Sequence, residues 1–354
     1  MSSHLDIPLP FVAHTNPYAT LVEDRNLQWA RRMGLIPTPA AAERLSLARI
    51  GEGCTFVYPF AALSDLIVCA GWITWLVSMD DQAGEGHYDT PEEWANARAR
   101  LERIVDGKGV LSDADADIPA CRALADLCRR TFPHMSGAWH TRFVAAVRDN
   151  FDGYHLESVQ RMAGVPAAPD VYVAIRRQSG SVPYVVALSE FAARSEVPDL
   201  IYHAPVFQSL LLAANDVICW SNDVFSAAKE RARGDVSNYL AVLIHHEGLT
   251  SQEAEDTVID RIRARANDFL AQESELDRLL ADLDIAPEQR EAVWANIDGM
   301  RDWMSGVIAW MKISDRFRTF EELSAVGPSA PSYVPDLLSP GGRTGVSRQD
   351  DIPS

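Results

Sequence analysis

From residue 21 to residue 324, apolar side chains recur at intervals of three and four, with few runs of strict alternation. That period serves one helix face after another and leaves little that could form a sheet. The expected fold class is therefore all-α, a single-domain antiparallel helical bundle. Breaks are expected where turn residues gather, at 51–53, 84–90, 112–119, 164–169, 198, 248–251 and 286–287. Helix starts carry their own signals: Thr90 precedes Pro91 and Glu92, and Ser251 precedes the acidic run 252–255. Residues 1–20 are Pro-rich and expected to be extended, available to fold over the mouth of the core. Residues 325–354 hold Pro, Gly, Ser and charge with little apolar period, so disorder or a loose strap is expected there.

A chain of 354 residues, 47% hydrophobic and 23% charged, can bury a core of that size. Its net charge of −18 disfavours a nucleic-acid partner, which wants a basic face, and an anionic membrane surface. No basic region followed by an apolar one opens the chain, and no uninterrupted apolar run reaches about 18 residues, so neither a signal peptide nor a membrane span is expected. Five cysteines without C-x-x-C spacing read as buried free thiols of a reducing compartment, and a cytoplasmic location is expected.

Two segments carry acids in patterned positions. In NDVFSAAKE, Asn222, Ser226 and Glu230 recur every four residues and so stack on one helix face. An amide, a hydroxyl and a carboxylate are hard oxygen donors suited to Mg²⁺. The earlier pair Asn215-Asp216 has Cys219 and Asp223 at the fourth and eighth positions after Asn215, so the column is not repeated there. A solvated helix face explains the triplet equally well when it is taken alone. In the other segment the apolar run WITWLVSM ends in Asp80-Asp81, with Glu85 following, and adjacent acids after such a run are costly unless something pairs with them. Leu76 and Trp72 lie four and eight residues before Asp80, on the face that would look into a cavity, with Val77 beside them. Two such acidic ends facing one another would repel unless cations and an anion lay between them. The run DADAD at 113–117 has no such pattern and reads as a surface loop.

With both motifs in place, the chain resembles the bacterial class I terpene synthases. The family's aspartate-rich motif matches DDQAGE, and its second metal motif, N-D-x-x-S-x-x-K-E, matches residues 222–230 at every specified position. The family's diphosphate-sensing arginine stands 46 residues before the motif asparagine, and 222 − 46 gives Arg176. A linker and an effector follow it, here Ser179 and Gly180. The segment WMSGVIAWMKISDRF resembles a W-x-x-G-x-x-x-W block followed by an Arg-Tyr pair, with Arg316-Phe317 in place of that pair. The likeness covers roughly residues 10 to 320. Phe317 lacks the phenolic hydroxyl, Met79 stands where an aromatic is common, and Ala83 and Gly84 are small.

The resemblance implies a prenyl diphosphate substrate and three Mg²⁺ ions, with Mn²⁺ as an alternative, held by Asp80 and by Asn222, Ser226 and Glu230. Arg176, Lys229 and Arg316 would bind the diphosphate. Ser179 would link Arg176 to Gly180, whose freedom to rotate would bring its carbonyl toward the allylic carbon. Trp72, Leu76, Val77, Trp310 and Phe56 are the candidate cavity residues, with Trp303 and Phe60 weaker ones. The reaction implied is ionisation and cyclisation to a terpene hydrocarbon or alcohol, with farnesyl diphosphate as the first substrate and geranylgeranyl diphosphate as the alternative. A chain-elongating prenyltransferase would carry a second DDxxD motif in place of the Asn-Ser-Glu column. A non-enzymatic helical interaction protein is the alternative of another class, and a homodimer is left open.

Overall fold

The computed structural model of the protein describes residues 5–84, 88–318 and 336–340, and every regular element among them is a helix. The first half comprises α1 (Ala19–Met33), α2 (Pro39–Ala48), α3 (Ile50–Val57), α4 (Leu63–Gly84), α5 (Pro91–Asp106), the single-turn α6 (Asp113–Ala116) and α7 (Pro119–Thr131). The second half comprises α8 (Gly137–Ala163), α9 (Pro169–Ser179), α10 (Val182–Ala193), the short α11 (Asp199–Tyr202), α12 (Pro205–Arg233), α13 (Tyr239–Glu247), α14 (Ser251–Asp282) and α15 (Pro287–Ile313). A 3₁₀ turn, Asp315–Phe317, follows α15.

Helix α4 packs against α1, α3, α7, α8 and α10. It is apolar nearly all round, as a helix buried on every side must be. Among the described residues it alone is long and apolar enough to cross a membrane, with a mean hydropathy of 1.3. Of that window 67% is buried inside the protein, so the bundle core accounts for the apolarity. Trp72, Trp75 and Trp94 are fully buried, and each indole N–H must find an acceptor there. Trp72 donates to the Thr131 hydroxyl (2.9 Å), Trp75 to the Ala120 carbonyl (3.0 Å) and Trp94 to the Phe151 carbonyl (2.9 Å), which ties α4 and α5 to α7 and α8.

Most expected breaks coincide with helix ends, but 51–53 does not, because these residues lie inside α3. The chain turns instead at Arg49, whose φ is +51°. Gly51 and Gly53 serve close approach. A Cβ on Gly51 would stand 2.5 Å from the Glu23 Cα, and one on Gly53 would stand 2.5 Å from the Trp310 ring. Thr90 caps α5 as expected. The cap of α14 is Thr250 rather than Ser251, in a reciprocal capping box with Glu253.

The N-terminal segment runs antiparallel along α15, with Asp6 on Lys312 (3.0 Å) and His14 on Asp302 (2.9 Å). It straps the side of the bundle. Asn16 then fastens it to the α3–α4 connection through the carbonyls of Pro59 and Ala61 (3.0 Å each). Within the stretch expected to be loose, residues 336–338 are ordered and buried. Glu85 and residues 325–335 and 341–354 lie outside the described residues.

Candidate active site

The last turns of α12 carry the oxygen column. Ser226 is 4% exposed, and its hydroxyl meets no partner at hydrogen-bond geometry, although it lies near enough to the Glu230 carboxylate to favour its charged form. On one side of it, the Asn222 Oδ1 accepts from Arg176 Nη2 (2.9 Å). On the other, Glu230 Oε2 accepts from Asn238 Nδ2 (2.7 Å), which also donates to the Asp223 carbonyl (2.8 Å). Burial pushes the Glu230 carboxyl up to about 7, the nearby Asp223 adds to the rise, and the Asn238 bond opposes it.

The C-terminal end of α4 carries the facing acids. Arg316 spans them, with Nη2 on Asp80 (2.7 Å) and Nη1 on Asp81 (2.6 Å), and Arg44 reaches Asp81 from α2 (3.0 Å). Asp81 is thus held between two guanidinium groups, whereas the Asp80 side chain is 51% exposed. The next residue after Arg316 ties this end to α12. Phe317 lies edge-on between Trp310 (6.1 Å) and Phe225 (6.4 Å).

Helix α8 closes a third side. Arg161 donates through Nη2 to the Ala83 carbonyl (2.6 Å) and lies 3.8 Å from Glu157. Burial raises the Glu157 pKa against the pull of Arg176 and Arg161, and Asp80 raises it further. One carboxylate on α8 therefore feels both Asp80 at the end of α4 and Arg176 on α9.

Helix α9 delivers Arg176 to this space. Its Nε donates to Asp223 (2.9 Å), whose other oxygen accepts from the Tyr172 hydroxyl (2.6 Å). The helix breaks directly afterwards. Ser179 packs so closely on Gly153 that a Cβ there would stand 2.3 Å from the Ser179 nitrogen, and a Cβ on Gly180 would stand 2.1 Å from Cys219 Sγ. Gly180 itself has an ordinary helical conformation (φ −70°, ψ −7°), and the left-handed residue is Ser181 (φ +64°). The observed need for glycine at 180 is therefore close approach rather than backbone freedom.

No group of three His, Cys, Asp or Glu side chains that could hold a metal gathers among the described residues. The donor set is mixed instead. A buried unpartnered hydroxyl between an amide oxygen and a carboxylate is the chemistry a hard divalent cation needs. Residues 71–268 match the family model described as "Terpene synthase family 2, C-terminal metal binding". The chain belongs to the terpene synthase family. It is 30% identical to the germacrene A synthase of Nostoc punctiforme over 315 residues, which is 89% of this chain and 95% of that one. It is also 30% identical to the corvol ether synthase of Kitasatospora setae, over 88% of this chain and 93% of the relative. Its fold matches the germacradien-4-ol synthase of Streptomyces citricolor with a TM-score of 0.78 at 27% identity, covering 88% of this chain and 99% of that structure. It is therefore a terpene cyclase, a carbon–oxygen lyase acting on a prenyl diphosphate.

In this synthase the candidate cavity residues divide. Leu76 and Val77 are partly exposed on a helix otherwise buried through its middle, and both pack against the core. Trp72 departs from expectation. It is fully buried among Trp75 and Phe143 and bonded to Thr131. The reason is helical drift: two steps of four residues overshoot two turns by about 80°, which carries Trp72 away from the face of Asp80. Trp310 is buried against Gly53 with its N–H on the Ala48 carbonyl (2.8 Å). Trp303 lies edge-on to Tyr58 (5.4 Å), and Phe56 is half-buried in α3. Phe60 is 76% exposed beside His14 and lines a cavity with Phe11, Tyr58 and Asp302, away from the Asp80 end of α4. Lys229 immediately precedes Glu230 near the end of α12.

Sequence reasoning passed over Asp223, Tyr172, Asn238, Arg44, Glu157 and Arg161. Tyr172, four residues before Arg176, shares its helix face, so that spacing was a usable signal for the Asp223 contact. Nothing in the sequence marks Glu157 or Arg161, which matter only through where α8 crosses the end of α4.

Proposed function

We propose that this synthase ionises farnesyl diphosphate and closes the resulting cation into a sesquiterpene hydrocarbon or alcohol. The Kitasatospora relative, whose name specifies cyclisation of (2E,6E)-farnesyl diphosphate, supports the C15 substrate. Asn222, Ser226 and Glu230 would hold Mg²⁺ on one wall and Asp80 on the other, with three ions as the working number and Mn²⁺ as an alternative. Bound there, Mg²⁺ would supply positive charge against the diphosphate as it leaves. The observation that carries this reading is the buried, unpartnered Ser226 hydroxyl between Asn222 and Glu230. Leaving such a group unsatisfied costs roughly 1–3 kcal/mol.

Arg316 and Arg176 now grip protein oxygens that a diphosphate could replace, and a guanidinium fork suits either partner. Arg176 would sense the anion by giving up Asn222, and the strain would pass through Ser179 to Gly180 at the helix break. Lys229 would add a further donor. Leu76 and Val77 would form part of an apolar wall that keeps water from the cation, with Phe56 and Trp310 as further wall candidates whose π faces can stabilise positive charge. The acidic net charge supports a role without nucleic acid.

Incubation with C10, C15 and C20 prenyl diphosphates and Mg²⁺, followed by mass spectrometry of the extract, tests this directly. A C15 terpene from farnesyl diphosphate is expected. Product from the C20 substrate alone would overturn the substrate assignment, and product from none would overturn the proposed machinery.

A further inference from the structure

We propose that residues 336–339 are a positioning element for the Asp80-Asp81 end of α4, setting the affinity of that end for Mg²⁺. The inference rests on the reading that Asp80 binds the metal.

Asp336, Leu337 and Leu338 are 3%, 3% and 1% exposed, far more buried than their polar, Pro- and Gly-rich surroundings would suggest. The Leu337 N–H donates to Gln82 Oε1 (3.1 Å), and its carbonyl accepts from the Ala120 N–H (3.0 Å). The Leu338 carbonyl accepts from Arg100 Nη1 (3.1 Å). The Tyr88 hydroxyl lies between the Asp336 carboxylate (3.2 Å) and the Ser339 hydroxyl (3.0 Å). Asp336 also accepts from the N–H groups of Leu338 and Ser339 (3.0 Å each), so the strap holds its own turn.

The contacts fall at a telling place. Gln82 follows Asp80 and Asp81 directly and is fully buried. Two residues at about 100° each turn its side chain about 160° away from that of Asp80. Asp80 therefore faces the site while Gln82 faces back into the strap. Tyr88 is the first described residue after α4, so the strap meets the chain at Gln82 and again at Tyr88. Ala120, which binds Leu337 through its N–H, accepts from Trp75 through its carbonyl, so one residue steadies α4 at two levels. The last turn of a helix lacks intrahelical partners for its carbonyls and frays first. Ligand groups tolerate only about half an ångström of such looseness.

The test uses the full chain with Leu337→Ser and Leu338→Ser combined, the combined Leu337→Met and Leu338→Met variant, and Leu276→Ala on α14 as a control for lost stability. The readout is thermal stabilisation by Mg²⁺ in the presence of inorganic diphosphate, with KM and kcat for turnover measured alongside. The serine variant should need about tenfold more Mg²⁺ for half its stabilisation. The methionine variant should restore it, and Leu276→Ala should leave it unchanged at a comparable loss of melting temperature. A serine variant that binds Mg²⁺ like the wild type, or a control that loses as much, overturns the proposal. Should the serine variant fail to fold, Tyr88→Phe decides in its place: weaker Mg²⁺ binding supports the strap's role, and unchanged binding overturns it. If the wild type shows no stabilisation, the metal reading falls, and the strap's role falls with it.

Discussion

Asn215-Asp216 and Asn222-Asp223 lie one heptad apart on α12, and each aspartate holds one of two consecutive arginines of α9. Asp216 is fully buried between Arg177 (2.7 Å) and Arg265 (2.8 Å). Its neighbour Asn215 donates to the Arg177 carbonyl (2.8 Å) and accepts from Cys219 Sγ (3.0 Å). The first pair is thus turned wholly toward the protein. In the second pair Asp223 is closed off by Tyr172 and Arg176, but Asn222 is half-buried and stands over Ser226 and Glu230. The same dipeptide serves packing in one turn and borders an oxygen column two turns later. What separates them is the residue type at the fourth and eighth following positions, thiol and carboxylate in one case, hydroxyl and carboxylate in the other.

The largest effect that would break this contrast is on the structural side. Asp216→Ala leaves two arginines facing a buried gap and should cost about 3–5 kcal/mol in chemical denaturation. The Mg²⁺ requirement of the molecules still folded should not change. Asn222→Ala and Glu230→Ala should each lower kcat/KM on the order of 10²–10³-fold, with melting temperatures near that of the wild type. Full activity in both would remove α12 from the chemistry. Asp223→Asn falls between the two, because it touches Arg176 without joining the column. A loss of about 10–100-fold in kcat/KM with a modest drop in melting temperature is expected, and steady-state kinetics with calorimetry would show it.

The smallest effect concerns a buried ion pair outside the site. Burial raises the Glu190 pKa to about 7, against the pull of Arg142 (3.0 Å). Because the folded value lies above the unfolded one, its contribution to stability is fully present below about pH 4.5 and is lost as pH rises through about 7. Glu190→Gln should flatten the melting temperature across that window. An unchanged slope would place the titration elsewhere.

Part of this is legible from spacing alone: the oxygen column and the acidic end of α4 follow from helical period and residue type, and the helical fold class follows from the periodicity of the whole chain. Arg176 is marked only by the resemblance to the family. Other features depend on what crosses what. Gly51 and Gly53 read as a turn in one dimension, yet they exist to let α1 and Trp310 approach α3. Trp72 falls on the cavity face only by a four-residue rule that drifts over two turns. The resemblance implies a diphosphate role for Arg316, but its ion pairs with Asp80 and Asp81 could not be read from sequence. Leu337 and Leu338 carry no period at all, because their pocket is made by α4, α5 and α7 together.

The contrast between the two Asn-Asp pairs comes down to one measurement: thermal stabilisation by Mg²⁺ and inorganic diphosphate in Asn215→Ala and Asn222→Ala. Asn215→Ala should melt lower than the wild type and keep its full stabilisation, whereas Asn222→Ala should keep its melting temperature and lose most of it. Equal responses in the two variants would contradict the assignment of the metal to the second pair.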